Sequence, residues 1–151
     1  MEDNGEYDEL WTEAGSSYTL GGEWRAEHDG YIINISGNLL EYNDGGWGSG
    51  FDGTILEIRK FNRSGTVGII FIEYNNKPVD FTTGVEPAGN FIGIYFRNLT
   101  AATGQFASPI EEFESDQFRT PAKVTLAEAK RTFTQGNTGN YVSYWGSYER
   151  Q

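Results

Sequence analysis

His28 is the single histidine of a 151-residue chain that has no cysteine, so any chemistry must begin from it or from the acidic side chains. It stands just before an Asp29-Gly30 turn, where an imidazole serves as a haem ligand, a general base or simply a hydrogen-bonded residue at a strand end. Zinc wants three or four clustered ligands, and a lone histidine without cysteine does not make a typical site. Asp44 with Asp52, and Glu111-Glu112 through Asp116, present oxygens of the kind calcium takes. Neither group has the spacing of a calcium loop, so both read as solvated acidic faces and no metal is expected. The chain lacks a Gly-x-Ser-x-Gly elbow and a His-Glu-x-x-His pair, and nothing selects two carboxylates for glycoside hydrolysis. No catalytic residue is assigned, and a non-catalytic role is the expectation. Gly48-Ser49-Gly50-Phe51-Asp52-Gly53 has dinucleotide-loop spacing. It leads into a strand instead of opening a helix, so no helix N-terminus would meet a pyrophosphate and no cofactor is expected.

The side chains left to bind something are aromatic. Trp47 and Phe51 lie on a Gly-rich connection, Asn43 to Gly53, where they either close over a ligand or pack at a rim. Trp24, Phe71, Phe96 and Tyr144 fall within strand-like stretches and are expected to line the interior of a closed sheet. Together with His28, Trp47 and Phe51 they form the candidate ligand-binding set. The competing reading makes Trp47, Trp145 and the many tyrosines outward platforms for a carbohydrate or a protein partner.

The elements that would position these residues start from Gly22 to Tyr42. Gly22 to His28, Tyr31 to Ile35 and Leu39 to Asn43 alternate, separated by Asp29-Gly30 and Gly37-Asn38, both hairpin signals that tolerate positive φ. Two-residue turns would set His28 opposite Tyr31, Ala26 opposite Ile33, Trp24 opposite Ile35, Ile35 opposite Leu40 and Ile33 opposite Tyr42. One face then carries Trp24, Ala26, His28, Tyr31, Ile33, Ile35, Leu40 and Tyr42, and a one-residue slip would turn this apolar set to solvent.

Further strands are predicted at Thr54 to Phe61, Thr66 to Tyr74, Phe91 to Leu99, Thr103 to Ala107 and Asn140 to Tyr148. If Phe61 faces Thr66, then Leu56, Ile58, Val67, Ile69 and Phe71 share a face, opposed by Glu57, Arg59, Gly68, Ile70 and Ile72. One helix is predicted before the last strand: Thr125 and Glu128 form a capping box, Leu126, Ala129 and Phe133 share a face, and Gly136-Asn137 ends it. Eight sequential antiparallel strands predict an all-β, up-and-down barrel, the even count letting last pair with first. Glycines within strands, Gly68, Gly93 and Gly146, would allow the necessary bending. A two-sheet sandwich is the alternative.

Residues 1–20 read as a polar, acidic tether and residues 21–151 as a single barrel domain. The net charge of −11 argues against nucleic acid and anionic membranes as partners. No stretch is long and apolar enough to span a bilayer. A monomer is expected.

Gly22-Glu23-Trp24 at the head of the first strand resembles the Gly-x-Trp signature of lipocalins and their calycin relatives. The resemblance runs over roughly Gly21 to Tyr148 in strand order. It implies an eight-stranded barrel with the Trp packed at the closed end and an open end that admits a small, mainly apolar ligand. The chain departs from that pattern in placing its helix before the last barrel strand and in lacking cysteine pairs. It is similar to the lipocalin-like domains of small exported bacterial lipoproteins, which implies a periplasmic or cell-surface location and a lipid anchor in the full-length form, with Met1 standing where an export signal was removed.

Overall fold

The computed structural model describes residues 20–28, 30–44, 50–79, 86–114 and 117–151. The elements are β1 (Gly22–Ala26), β2 (Ile32–Ser36), β3 (Leu39–Asn43), β4 (Phe51–Lys60), β5 (Gly68–Asn76), β6 (Phe91–Arg97), β7 (Thr103–Ala107), β8 (Glu111–Glu114), β9 (Gln117–Arg119), α1 (Leu126–Thr132), α2 (Thr138–Tyr141) and β10 (Gly146–Arg150). Eight strands close into an antiparallel barrel in the order β1-β10-β7-β6-β5-β4-β3-β2. This is the up-and-down barrel that the alternation predicts, not the sandwich. The tether read from residues 1–20 lies, except for Leu20, outside the described residues.

The β2–β3 hairpin has the predicted register, Ile35 opposite Leu40 and Ile33 opposite Tyr42. The β1–β2 hairpin does not: Trp24 faces Ile33 and Gly22 faces Ile35. Ala26 N donates to Tyr31 O at 2.8 Å, and Glu27 N donates to Ser147 O at 3.0 Å. Successive amides thus bond to opposite neighbours, as in any strand paired on both sides, β1 ends at Ala26, and His28 belongs to the loop. The displacement is two residues, so side chains keep their faces, since the period of a strand is two.

The β4–β5 pairing is displaced by one residue, and there the faces exchange. Phe61 N donates to Val67 O at 2.8 Å, with Asn62 fixing the loop: its Oδ1 accepts from Thr66 N at 3.0 Å and its Nδ2 donates to Thr66 Oγ1 at 2.7 Å. Gly65 takes φ 72° in the same turn, a left-handed conformation natural to glycine. Ile58 consequently faces Ile70, and after an irregularity between Ile55 and Glu57, Ile55 faces Ile72. These point into the barrel. Ile69 and Phe71 point outward with Glu57 and Arg59, the reverse of the expected assignment for Phe71.

That outward pair explains α1. Thr125 caps the helix, its Oγ1 accepting from Glu128 N at 3.1 Å, and Ala129 and Phe133 are fully buried. A Cβ added at Gly93 would lie 2.7 Å from Ile69 Cγ2 and 3.1 Å from Phe133 Cβ, so the close seat of α1 on β5 and β6 needs glycine there. Tyr95 Oη donates to Thr134 O at 2.9 Å, and Lys130 Nζ donates to Glu57 Oε1 at 2.9 Å. The run Ile69 to Ile72 is buried on both sides, inside by the barrel and outside by the helix. A continuous apolar strand is what two-sided burial produces.

Two further expectations change. Asn140 and Tyr141 belong to α2, and β10 begins only at Gly146, because Val142 N returns to Thr138 O at 2.9 Å and Tyr141 packs on Phe133 with ring centroids 5.3 Å apart. The acidic run after Ile110 pairs as the separate hairpin β8–β9.

If α1 completes a core on the outer face of the sheet, Phe133→Ala should lower unfolding free energy by about 3–5 kcal/mol. Urea denaturation followed by circular dichroism measures this; a loss under about 1 kcal/mol would mean the helix is only ornamental to the barrel.

Candidate functional site

The two barrel ends are built differently. At the end where β1 begins, Leu20, Trp24, Ile58, Phe61, Phe96 and Leu99 are buried. Trp24 Nε1 donates to Leu20 O at 2.9 Å, which satisfies a buried indole N–H. Its ring meets Phe106 edge-on at 5.2 Å, and the Arg150 guanidinium lies 4.5 Å from its centroid. This end is closed.

The opposite end holds a cavity of about 400 Å³. Its apolar lining is Ile33, Leu40, Phe51, Ile94, Phe106 and Ile110, and its rim carries Glu27, His28, Tyr31, Tyr42, Tyr144 and Tyr148. Alternation explains the composition. Strands β1, β3, β7 and β10 reach the mouth with the inward residues Ala26, Tyr42, Phe106 and Gly146, of which Ala26 and Gly146 are too small to fill the space. The bulky interior residues sit deeper, where the barrel is solid. On one wall Tyr31, Tyr42, Phe51 and Tyr74 follow one another at centroid spacings of 6.0, 5.3 and 5.4 Å. On the other, Phe106 and Tyr148 meet edge-on at 5.6 Å.

Burial raises the Tyr42 phenol above its ordinary value, and Tyr31 and Asp44 raise it further. Tyr148 is likewise raised, first by burial and then by Tyr42, Tyr31 and Tyr144. Asp44 is itself buried. Both phenols therefore stay protonated at neutral pH, each with a hydroxyl that donates and accepts.

The structure brings together three of the predicted site residues, His28, Phe51 and Tyr144, all lining the cavity. Trp24 and Phe96 are interior but form the solid end beneath it. Phe71 is buried on the outer face, with the Arg59 guanidinium 5.8 Å from its ring centroid. Trp47 lies outside the described residues. Sequence reasoning missed Tyr31, Tyr42, Phe106 and Tyr148 as lining residues. The signal for the first two was present, since the alternation puts them on the face of His28 and Trp24. Tyr148 could be found only by knowing that β10 closes against β1, where it faces Ala26.

Among the described residues no cluster of three or more His, Asp or Glu side chains could hold a metal ion, and no helix is long and apolar enough to cross a membrane. Trp145, a candidate platform, is half-buried, with the Arg97 guanidinium 4.2 Å from its ring centroid. Compared with protein-family models, curated proteins and solved structures, the chain matches none.

The raised phenols fix the sign of the alkaline response. A folded-state value above the usual 10.0 means that the stabilisation is fully present below about pH 10 and is lost as pH rises toward the folded-state values. Phenolate absorbance should show at least two tyrosines ionising only well above the ordinary range. Stability should fall from about pH 10 upward, less steeply in Tyr42→Phe. Normal titration of every tyrosine in the folded protein would contradict the burial of the pair.

Proposed function

We propose that this protein is a non-catalytic, lipocalin-like binding protein that holds one small, mainly apolar ligand in the open end of its barrel. The observation that carries this reading is the cavity of about 400 Å³ with an apolar floor and a tyrosine rim. Small-molecule sites commonly occupy roughly 300–1,000 Å³ and combine mostly apolar walls with a few placed polar groups. Eight strands leave an interior that is either filled by side chains or able to hold one small ligand. Here the closed half follows the first pattern and the open half the second. The hydroxyls of Tyr42, Tyr148 and Ser143 around the rim supply polar groups that would orient a ligand.

A surface module reading its partner through exposed aromatics is the weaker reading, because Trp145 has one ring face covered by Arg97. On the resemblance to exported lipocalin-like lipoproteins, the proposal extends to a bacterial periplasmic or surface location.

Titration with a neutral apolar fluorophore such as N-phenyl-1-naphthylamine tests the proposal directly. Saturable one-to-one enhancement is expected. Ala26→Leu, which projects methyl groups into the cavity, should weaken binding at least about tenfold, a cost near 1.4 kcal/mol, while the thermal midpoint holds. A fluorophore response unchanged by Ala26→Leu would place binding elsewhere, and no response at all would defeat the proposal.

A further inference from the structure

Resting on the reading of the open end as a ligand site, we propose that its ligand is an organic cation. An alkyl- or arylammonium group would sit among the tyrosine rings at the rim, with its apolar part against Ile33, Leu40 and Ile94.

The argument starts from what lines the mouth. Tyr31, Tyr42, Tyr144 and Tyr148 surround it, with Phe51 and Phe106 below, and the wall rings stand 5.3 to 6.0 Å apart. Aromatic faces carry negative quadrupole potential, so a ring-lined mouth attracts a cation and opposes an anion. The charges agree. Glu27 lines the cavity, whereas among the described residues no Lys or Arg does; His28, exposed at the rim, is the one described lining residue able to become positive.

The hydroxyls fit the same cargo. Protonated phenols at Tyr42 and Tyr148, with Ser143 beside them, offer oxygen lone pairs to an ammonium N–H. A carboxylate in their place would find donors in the same hydroxyls, but no cation to offset its desolvation and an adjacent Glu27 to repel it. Fatty acids are therefore poor candidates despite the apolar floor. At longer range, the net charge of −11 favours encounter with a cation.

Calorimetric titration of the whole protein at pH 7 and physiological salt, with octylammonium, 1-octanol and octanoate, separates charge from chain length. Octylammonium should bind one-to-one and about tenfold or more tighter than octanol, the scale of a partly desolvated cation–π contact, with octanoate weaker still. Glu27→Gln and Tyr42→Leu should each shrink the ammonium-to-alcohol ratio several-fold. Equal affinities for all three would overturn the cation preference and leave the cavity reading standing. A preference for octanoate would overturn it likewise, and failure of all three to bind would defeat both readings.

Discussion

The pairing of β1 with β10 is the constraint on which the rest of this structure depends. It closes the sheet, with Trp24 opposite Arg150 and Ala26 opposite Tyr148, and it leaves the barrel strands without a free edge to recruit another chain. The two strands lie at opposite ends of the described chain. Joining them fixes a long loop, and the closure entropy must be offset by what meets there. What meets is the Trp24 indole, fully buried, bonded to Leu20 O and covered by Phe106 and Arg150. The same pairing continues to Glu27 N and Ser147 O and brings Glu27 and His28 to the cavity mouth.

Closure also explains the long excursion between β7 and β10. Two outward apolar residues on β5, Ile69 and Phe71, would be a liability on a bare barrel. The excursion carries α1 across them, with Ala129 and Phe133 as its buried contacts. Gly93 allows the approach, and Gly68 gives room to the Phe96 ring, whose Cζ would lie 2.8 Å from a Cβ added there. The strand glycines thus provide space for neighbouring side chains, in addition to any help they give to curvature. Before re-entering the barrel the chain passes Ser143 and Tyr144 over the open end, so one connection both covers an outer face and furnishes part of the rim.

The solid and open halves divide along side-chain size. Trp24, Ile58, Phe61, Phe96 and Leu99 fill one end; Ala26 and Gly146 leave room at the other. Tyrosine suits the boundary because its ring can be buried while its hydroxyl reaches a polar mouth.

Alternation, turn residues and a capping box were enough to determine sequential antiparallel strands, the inward face of the first three, and the helix with its buried Ala129 and Phe133, while closure into a barrel instead of a sandwich came from the pairing of β1 with β10. The former are local properties, with periods of two or 3.6 residues and fixed turn chemistry. The three-residue cluster His28, Tyr31 and Tyr42 was legible for the same reason, although only His28 was taken as a site residue. Two further matters were left to the tertiary structure. One was parity across the Asn62–Thr66 loop, where one added residue reversed Phe71 from interior to helix-facing; loop length is set by side-chain hydrogen bonds that no periodicity reports. The other was where bulk ends and space begins: a cavity arises from side chains on β1, β3, β7 and β10 that become neighbours only when the sheet closes.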